Sequence, residues 1–361
     1  MTREFDVCGP LPTGVTVLEA SAGTGKTWTI AALAARYVAE GTPLERLLLV
    51  TFTRMATGEL RERVRERLVR DLGTEQDAVR RERLARAVAD FDAATIATTH
   101  GFCQEVLSGL GVAGDVERDA EFVEDVGDLV EEVVDDLYVR RFHRGGGPAF
   151  TREEAGRIAS IAVANPLAPI EPRGADEATL PAMRARLAGA VRDELDRRKQ
   201  RAAVMTYDDL LTRLNATLEG PGGDAVAARL RGRFRVVLVD EFQDTDPVQW
   251  NIMRRAFGGG TLVLIGDPKQ AIYAFRGADV YAYLDAARQA ATQATLEVNW
   301  RSDQGLIDAY DALFGGARLG HEGIVYRQVR ATDANQRPRL TGAPIEAPLR
   351  IRVVHREDVA T

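Results

Sequence analysis

Nine consecutive residues constrain this chain more than any others: Glu19-Ala20-Ser21-Ala22-Gly23-Thr24-Gly25-Lys26-Thr27. An apolar run, Val15 to Leu18, precedes them, and a helix-like run, Trp28 to Ala39, follows. The order strand, glycine-rich turn, helix brings successive backbone N–H groups and a helix N-terminus together, which suits the phosphates of a nucleotide. Lys26 adds a point charge at the outer phosphates, and the Thr27 hydroxyl suits Mg2+. This P-loop pattern usually opens with Gly, and Ala20 stands there instead. Ala does not tolerate positive φ, so the turn must begin with extended or right-handed backbone. The competing reading is a glycine-rich strand–helix turn carrying a surface lysine. The rest of the chain decides between the two.

At 361 residues, 45% hydrophobic and 28% charged, the chain can bury a sizeable core, is long enough for two domains and reads as folded. No apolar run approaches the roughly 20 residues of a membrane span. Met1 to Val7 is polar and mixed in charge, unlike a secretory signal. Cys8 and Cys103, the only cysteines, stand in unrelated contexts. They suggest no metal site and no disulfide framework, which fits a reducing cytoplasm. A net charge of −7 argues only weakly against nucleic acid, because binding needs no more than a local basic or aromatic groove. Lys26, Lys199 and Lys269 are the only lysines, every other fixed cation being Arg, so each lysine is less apt to be incidental.

Leu47 to Val50 reads as a buried strand ending in Thr51-Phe52-Thr53. Leu60, Val64, Leu68 and Leu72 then recur every four residues on an amphipathic helix, with Glu59–Arg63 and Glu66–Arg70 pairs on its wet side. Residues 74–90 read as a continuation of charged helix. Thr95 to Thr98 is strand-like and leads into His100-Gly101-Phe102-Cys103. From about residue 111 the composition turns acidic and helical, and no strand-like run is found between about 110 and 230. Strands resume at Val236 to Val239 and Leu262 to Ile265. Strands separated by helices predict an α/β fold with a parallel sheet, whose ligands sit at the carboxyl ends of the strands.

The remaining chemistry falls at those strand ends. Val236 to Val239 runs into Asp240-Glu241, and a buried carboxylate needs a cation or hydrogen bonds to compensate it. Asp240 suits Mg2+, and Glu241 suits the base that orients a water on the γ-phosphate; an ordinary acidic turn is the alternative. Leu264 to Gly277 follows, with Gln270 just past a strand end, where a neutral amide could detect a γ-phosphate. Tyr273 and Phe275 either present rings for base stacking, at roughly 1–3 kcal/mol per base, or belong to the core. In Asn299-Trp300-Arg301-Ser302, Trp300 suits adenine stacking and Arg301 suits γ-phosphate charge. The alternative there is a buried Trp beside a surface Arg.

In motif order, from Val17 to about Ser302, the chain resembles the superfamily 1 DNA helicases of the UvrD/Rep type. The matches are the Glu19–Thr27 loop, Val50-Thr51-Phe52-Thr53 with its Glu59-to-Arg63 helix, and Thr99 to Cys103. They continue with Tyr207 to Leu211, Val239 to Thr245, Gly266 to Gly277 and Asn299 to Ser302. The loop form and the Thr-His-Gly-Phe-Cys form look most like the RecB branch of RecBCD-type helicase–nucleases. The resemblance implies an ATP-dependent motor on single-stranded DNA with 3′ to 5′ polarity, acting in recombinational double-strand-break repair with ATP and Mg2+. It implies phosphate contacts from Ala20, Ser21, Ala22, Gly23, Thr24, Gly25, Lys26 and Thr27, and Mg2+ held through Thr27 and Asp240. Glu241 is then the catalytic base, Gln270 the coupling residue, Arg301 the γ-phosphate arginine and Trp300 the adenine ring. Thr53, His100, Phe102, Tyr273 and Phe275 line the single-stranded DNA path.

The expected organisation is a first RecA-like domain over 1–110 and 204–295, a helical insertion over 111–203 that touches duplex DNA, and the start of a second RecA-like domain over 296–361. RecC- and RecD-type subunits are the implied partners, with no membrane. Two features depart from the family. Residues 1–19 hold no Gln to read adenine, which leaves base selectivity mainly to Trp300. Residues 303–361 carry no assignable later helicase motif and no acidic nuclease motif, so the chain is expected to be the N-terminal part of a larger protein. Two other readings are an ATP- and DNA-binding module without productive unwinding, and a P-loop ATPase with a protein partner. The aromatic loop and the Thr-His-Gly-Phe turn argue against the latter.

Overall fold

The computed structural model describes residues 3–110, 121–123, 125–143, 148–166, 168–173, 179–272, 278–339, 342 and 347–351. In chain order the elements are β1 (Arg3–Glu4), β2 (Val15–Ala20), α1 (Lys26–Ala39), β3 (Leu47–Thr51), α2 (Arg54–Thr74), α3 (Ala78–Ala89), β4 (Thr95–Thr98) and α4 (Thr99–Leu110). Next come β5 (Glu121–Phe122), α5 (Gly127–Phe142), α6 (Arg152–Ala164), α7 (Leu180–Ala202), β6 (Val204–Met205), α8 (Tyr207–Glu219) and α9 (Gly223–Arg233). The chain continues through β7 (Val236–Val239), α10 (Pro247–Phe257), β8 (Thr261–Gly266), α11 (Val280–Gln289), β9 (Thr292–Leu296), β10 (Val298–Asn299), α12 (Gln304–Phe314) and β11 (Arg330–Ala331).

Two compact units divide these elements, one formed by residues 1–99 and 225–361, the other by 100–224. The first unit holds a seven-stranded sheet in the order β1-β9-β2-β8-β7-β3-β4, parallel at every described pairing. This is the expected α/β architecture. Its central strands β8, β7 and β3 are apolar but for one terminal Thr in each of β8 and β3, as helices on both faces of a sheet require, and every residue of β3 and β7 is buried. One face packs Leu18, Leu49, Leu238 and Ile265 against Ile30, Leu33 and Ala34 of α1 and Leu60, Val64 and Leu68 of α2. Alanines on α1 allow close approach to the sheet at no cost in helix propensity. The helix expected over residues 74–90 is broken at 75–77. Glu75 accepts from the N–H groups of Gln76 and Asp77, and Asp77 caps α3 through the Arg80 N–H. Local carboxylate bonds thus compete successfully with helix continuation.

The second unit is helical around Val130, Val133, Val134, Ala155, Ala159, Val191 and Leu195. It is wider than the 111–203 stretch marked by the composition, because packing rather than composition sets its limits. Tyr207 of α8 stacks on Phe122 at 5.7 Å and meets His100 of α4 edge-on at 6.1 Å. It also holds strands where none was expected: β5 and β6 pair in parallel over two residues each, too short a run to show a period of two. Lys199 is buried here, paired with Asp209.

Leu238, fully buried mid-sheet, and Val69, half exposed on α2, offer a direct comparison. Leu238→Ala should lower the unfolding free energy by about 2–5 kcal/mol, read from urea denaturation. Val69→Ala should change it by no more than about 0.5 kcal/mol. Equal effects would show that the sheet interior is not the load of this fold.

Candidate nucleotide site

The polar loops of the first unit gather at the carboxyl ends of β2, β7, β8 and β9. Ala20 closes β2 as a fully buried, extended residue, as its side chain requires. The loop then uses positive φ only at Gly23 and Gly25, at 82° and 89°. Gly23 is needed on a second ground. A Cβ there would lie 2.8 Å from the Arg301 Cβ and 2.9 Å from the Asn299 Oδ1. Thr24 folds back on Ser21, its hydroxyl donating to the Ser21 carbonyl at 2.7 Å. The N–H groups of Gly23, Gly25, Lys26 and Thr27 meet no acceptor among the described residues. Free donors at a helix N-terminus fit an anion such as a polyphosphate.

Lys26 begins α1, and its Nζ lies 3.5 Å from Glu241 Oε2 and 3.4 Å from the Ala20 carbonyl. Glu241 stands at the end of β7 with φ 47°, one of two non-glycine residues in that region among those described. Such backbone costs of the order of 1–3 kcal/mol and persists only where the surroundings impose it. Gln243 ties down the Glu241 side chain: the Gln243 Nε2 donates to Glu241 Oε2 at 2.8 Å, and the Gln243 Oε1 accepts from the Asp267 N–H at 2.9 Å. Gly266 makes room for this amide, since a Cβ there would sit 2.6 Å from Gln243 Oε1.

Asp240 is buried, and its Oδ1 accepts from the Glu241 N–H at 2.9 Å. Burial, and next the charge of Glu241, push its carboxyl up to about 7, against the opposing effects of that N–H bond and of Lys26. Asp244 is pushed up to about 6, again by burial first and Glu241 second. Its Oδ1 is buried without a partner among the described residues. An acid cluster in this state is undercompensated, which fits a divalent cation. Thr27 and Asp240 offer the hard oxygens Mg2+ prefers. No group of three or more His, Cys, Asp or Glu forms a protein-only cage among the described residues, so phosphate and water would complete the coordination shell.

Past β8, Gln270 Nε2 donates to Asp267 Oδ2 at 2.7 Å. Lys269 bridges Asp267 at 2.7 Å and Glu19 at 2.8 Å. Past β9, Asn299 clamps the turn to the P-loop: its Nδ2 donates to the Ala22 carbonyl at 2.9 Å and the Trp300 N–H to the Gly23 carbonyl at 2.8 Å. Asn299 Oδ1 accepts from the N–H groups of Arg301 and Ser302. Trp300 is 65% exposed, so the buried-Trp alternative fails. A Cβ on Gly25 would meet the Trp300 ring at 3.7 Å and the Trp28 Cβ at 3.9 Å; Trp28 is also exposed, with the Arg67 guanidinium 4.9 Å from its ring centroid. Arg301 is exposed and pairs with no carboxylate among the described residues.

Of the residues expected to line a DNA path, Thr53 is exposed and caps α2 by accepting from the Ala56 N–H at 3.1 Å. Tyr273 and Phe275 lie outside the described residues. His100 and Phe102 belong to the second unit. His100 is half-buried against Tyr207. Phe102 is fully buried, which corrects the expectation: its ring is core and offers no face to a base. The sequence reading gave no role to Gln243, Asn299, Asp244, Trp28 or Arg327. The first three sit inside motifs already singled out, and Trp28 directly follows Thr27. Arg327 carries no local pattern.

A family model described as UvrD/REP helicase N-terminal domain matches residues 6–291. The RecBCD enzyme subunit RecB of Mycolicibacterium smegmatis is 50% identical over 98% of the chain, which covers 34% of that relative. RecB of Mycobacterium tuberculosis H37Rv is 47% identical over 98% of the chain, again 34% of the relative. RecB of Escherichia coli K12 is 28% identical over 83% of the chain and 38% of the relative. The chain thus spans about a third of the length of the curated relatives it matches.

The raised carboxyl of Asp240 has a stability consequence. Its folded pKa lies above the unfolded value, so the folded state holds this proton more tightly. Its contribution is therefore complete below about pH 4 and is lost as pH rises through about 7. Asp240→Asn should raise the thermal midpoint, by more at pH 8 than at pH 5, with Mg2+ and nucleotide left out. A gain independent of pH would show that this carboxyl ionises normally.

Proposed function

This chain belongs to the UvrD/Rep helicase family, and from that premise we propose that it is the N-terminal motor portion of a RecB-type subunit, an ATP-driven translocase on single-stranded DNA. The observation that carries the reading is the meeting of Lys26 and Glu241, 3.5 Å apart, at a helix N-terminus whose first N–H groups meet no acceptor among the described residues.

In this reading the N–H groups of Gly23, Gly25, Lys26 and Thr27, with the Lys26 ammonium, hold the outer phosphates of ATP. Thr27 and Asp240 hold Mg2+, which neutralises phosphate charge when bound. Lys26 exchanges Glu241 for phosphate oxygen, which frees the glutamate. Gln243 keeps Glu241 Oε2 fixed, so Oε1 is the atom left to take the proton of the attacking water. Arg301 sits across the loop at Gly23 and meets charge developing on the γ-phosphate. Trp300, exposed beside Gly25, supplies flat surface for the base, with no Gln in residues 1–19 to read its edge. Gln270 reports the γ-phosphate to the loop carrying Tyr273 and Phe275, which stack on the DNA strand with Thr53 and His100 along the path.

The wider reading extends to the whole protein: stepping 3′ to 5′ by closing and opening two RecA-like domains, and repair of double-strand breaks with RecC- and RecD-type subunits in the cytoplasm. Residues 1–110 and 204–295 form the first RecA-like domain, 111–203 an insertion on duplex DNA, and 296–361 the start of the second.

ATP hydrolysis by the full-length protein, measured with and without single-stranded DNA, tests the motor. Stimulation is expected, and its absence would sink the DNA-motor reading. Glu241→Gln should keep ATP binding and lose at least about a hundredfold in kcat. Undiminished turnover would remove Glu241 as the base.

A further inference from the structure

Residues 326–339 run back along the turn that carries Trp300 and Arg301. β11 pairs in parallel with β10. The Arg330 N–H donates to the Glu297 carbonyl at 2.8 Å and the Thr332 N–H to the Asn299 carbonyl at 3.2 Å. Asn335, buried, donates through Nδ2 to the Trp300 carbonyl at 3.1 Å. The Arg339 guanidinium reaches the Arg301 carbonyl and the Asp303 carboxylate. The carbonyls of Asn299, Trp300 and Arg301 are therefore all taken by this one returning segment.

The segment is itself anchored to the sheet. Arg327 Nε donates to Glu19 Oε2 at 2.9 Å, and Lys269 Nζ donates to the other oxygen, Oε1, at 2.8 Å. Glu19 is the residue of β2 that precedes Ala20, where the P-loop begins. Glu19, Asp267, Lys269 and Arg327 carry balanced charge, and Glu19 and Lys269 are each only 12% exposed in their side chains. Charge-assisted bonds in such a setting are strong, and removing one member leaves its partner uncompensated.

Resting on the nucleotide-site reading, we propose that Arg327 is a positioning residue: its ion pair with Glu19 latches the returning segment to the strand entering the P-loop and thereby holds Trp300 and Arg301 at the phosphate site. The direct clamp is slight, two hydrogen bonds from the Asn299–Trp300 turn to the loop, each of small net worth because water would otherwise satisfy the same groups. Without the latch the turn spends part of its time displaced, and only the fraction with the turn in place is competent to bind. Apparent affinity falls by that fraction. Saturating ATP draws the turn back, so kcat survives.

The test uses the full-length protein, a fluorescent N-methylanthraniloyl ATP for binding, and steady-state ATP hydrolysis. Arg327→Gln should raise Kd and KM for ATP about five- to tenfold, with kcat changed less than about twofold. Arg327→Lys should recover most of the loss. The double variant Glu19→Gln, Arg327→Gln should be no worse in KM than Arg327→Gln alone, as expected of two partners in one interaction. An unchanged Kd in Arg327→Gln, or a fall in kcat at constant KM, would overturn the latch while leaving the nucleotide site standing. A wild-type protein that fails to bind the ATP probe would overturn both.

Discussion

A charge at the end of a strand buried on both faces has lost most of its water, and something in the protein or its ligand must replace that water. The central strands of this sheet are largely apolar, and at the carboxyl ends of β2, β7 and β8 stand Glu19, Asp240, Glu241 and Asp267. Much of the first unit can be understood as the answer to those four acids. Lys269 and Arg327 compensate Glu19 and Asp267 in full. Lys26 compensates Glu241 only at 3.5 Å, and Asp240 remains pushed up to about 7. The sheet thus separates a satisfied half, which is structural, from an unsatisfied half, which invites a cation and phosphate.

Glu241 concentrates that asymmetry. Its backbone is held at positive φ, its side chain is tied by Gln243, and its charge adds to the burial that chiefly raises both Asp240 and Asp244. The same amide reaches the Asp267 N–H, and Asp267 in turn binds Gln270 and Lys269. Glu241 is therefore joined through short contacts to the loop past β8. Low local dielectric strengthens each link and makes each broken one costly.

The two glycines of the P-loop serve different neighbours. Gly25 supplies the left-handed turn into α1 beside Trp28 and Trp300, while Gly23 also leaves space for Asn299 and Arg301. The loop's shape is thus set jointly by its own sequence and by a turn arriving after β9. That turn is itself hydrogen-bonded to residues 330–339, so the loop's surroundings are completed by a segment far along the chain.

Contiguous features were legible in the amino-acid order. Buried parallel strands are long apolar runs, a P-loop is a local turn, and Asp240–Glu241 follow their strand directly, so each leaves its mark within a few residues. The resemblance to UvrD/Rep helicases rested on such marks, and the family match over residues 6–291 agrees with it. The break at 75–77 was missed because capping by Glu75 and Asp77 is decided by carboxylate geometry, not by periodicity. The β5–β6 pair was missed because two residues carry no pattern, and Phe102 was misread because an aromatic in a turn motif has the same sequence whether buried or open. The chain by itself determined the α/β class, the glycine-rich loop after β2 and the acids at the strand ends. Only the tertiary structure decided which charges are compensated. Glu19 and Arg327 are 308 residues apart and nothing local marks either as the other's partner, since an ion pair depends on distance in space and leaves no period in sequence.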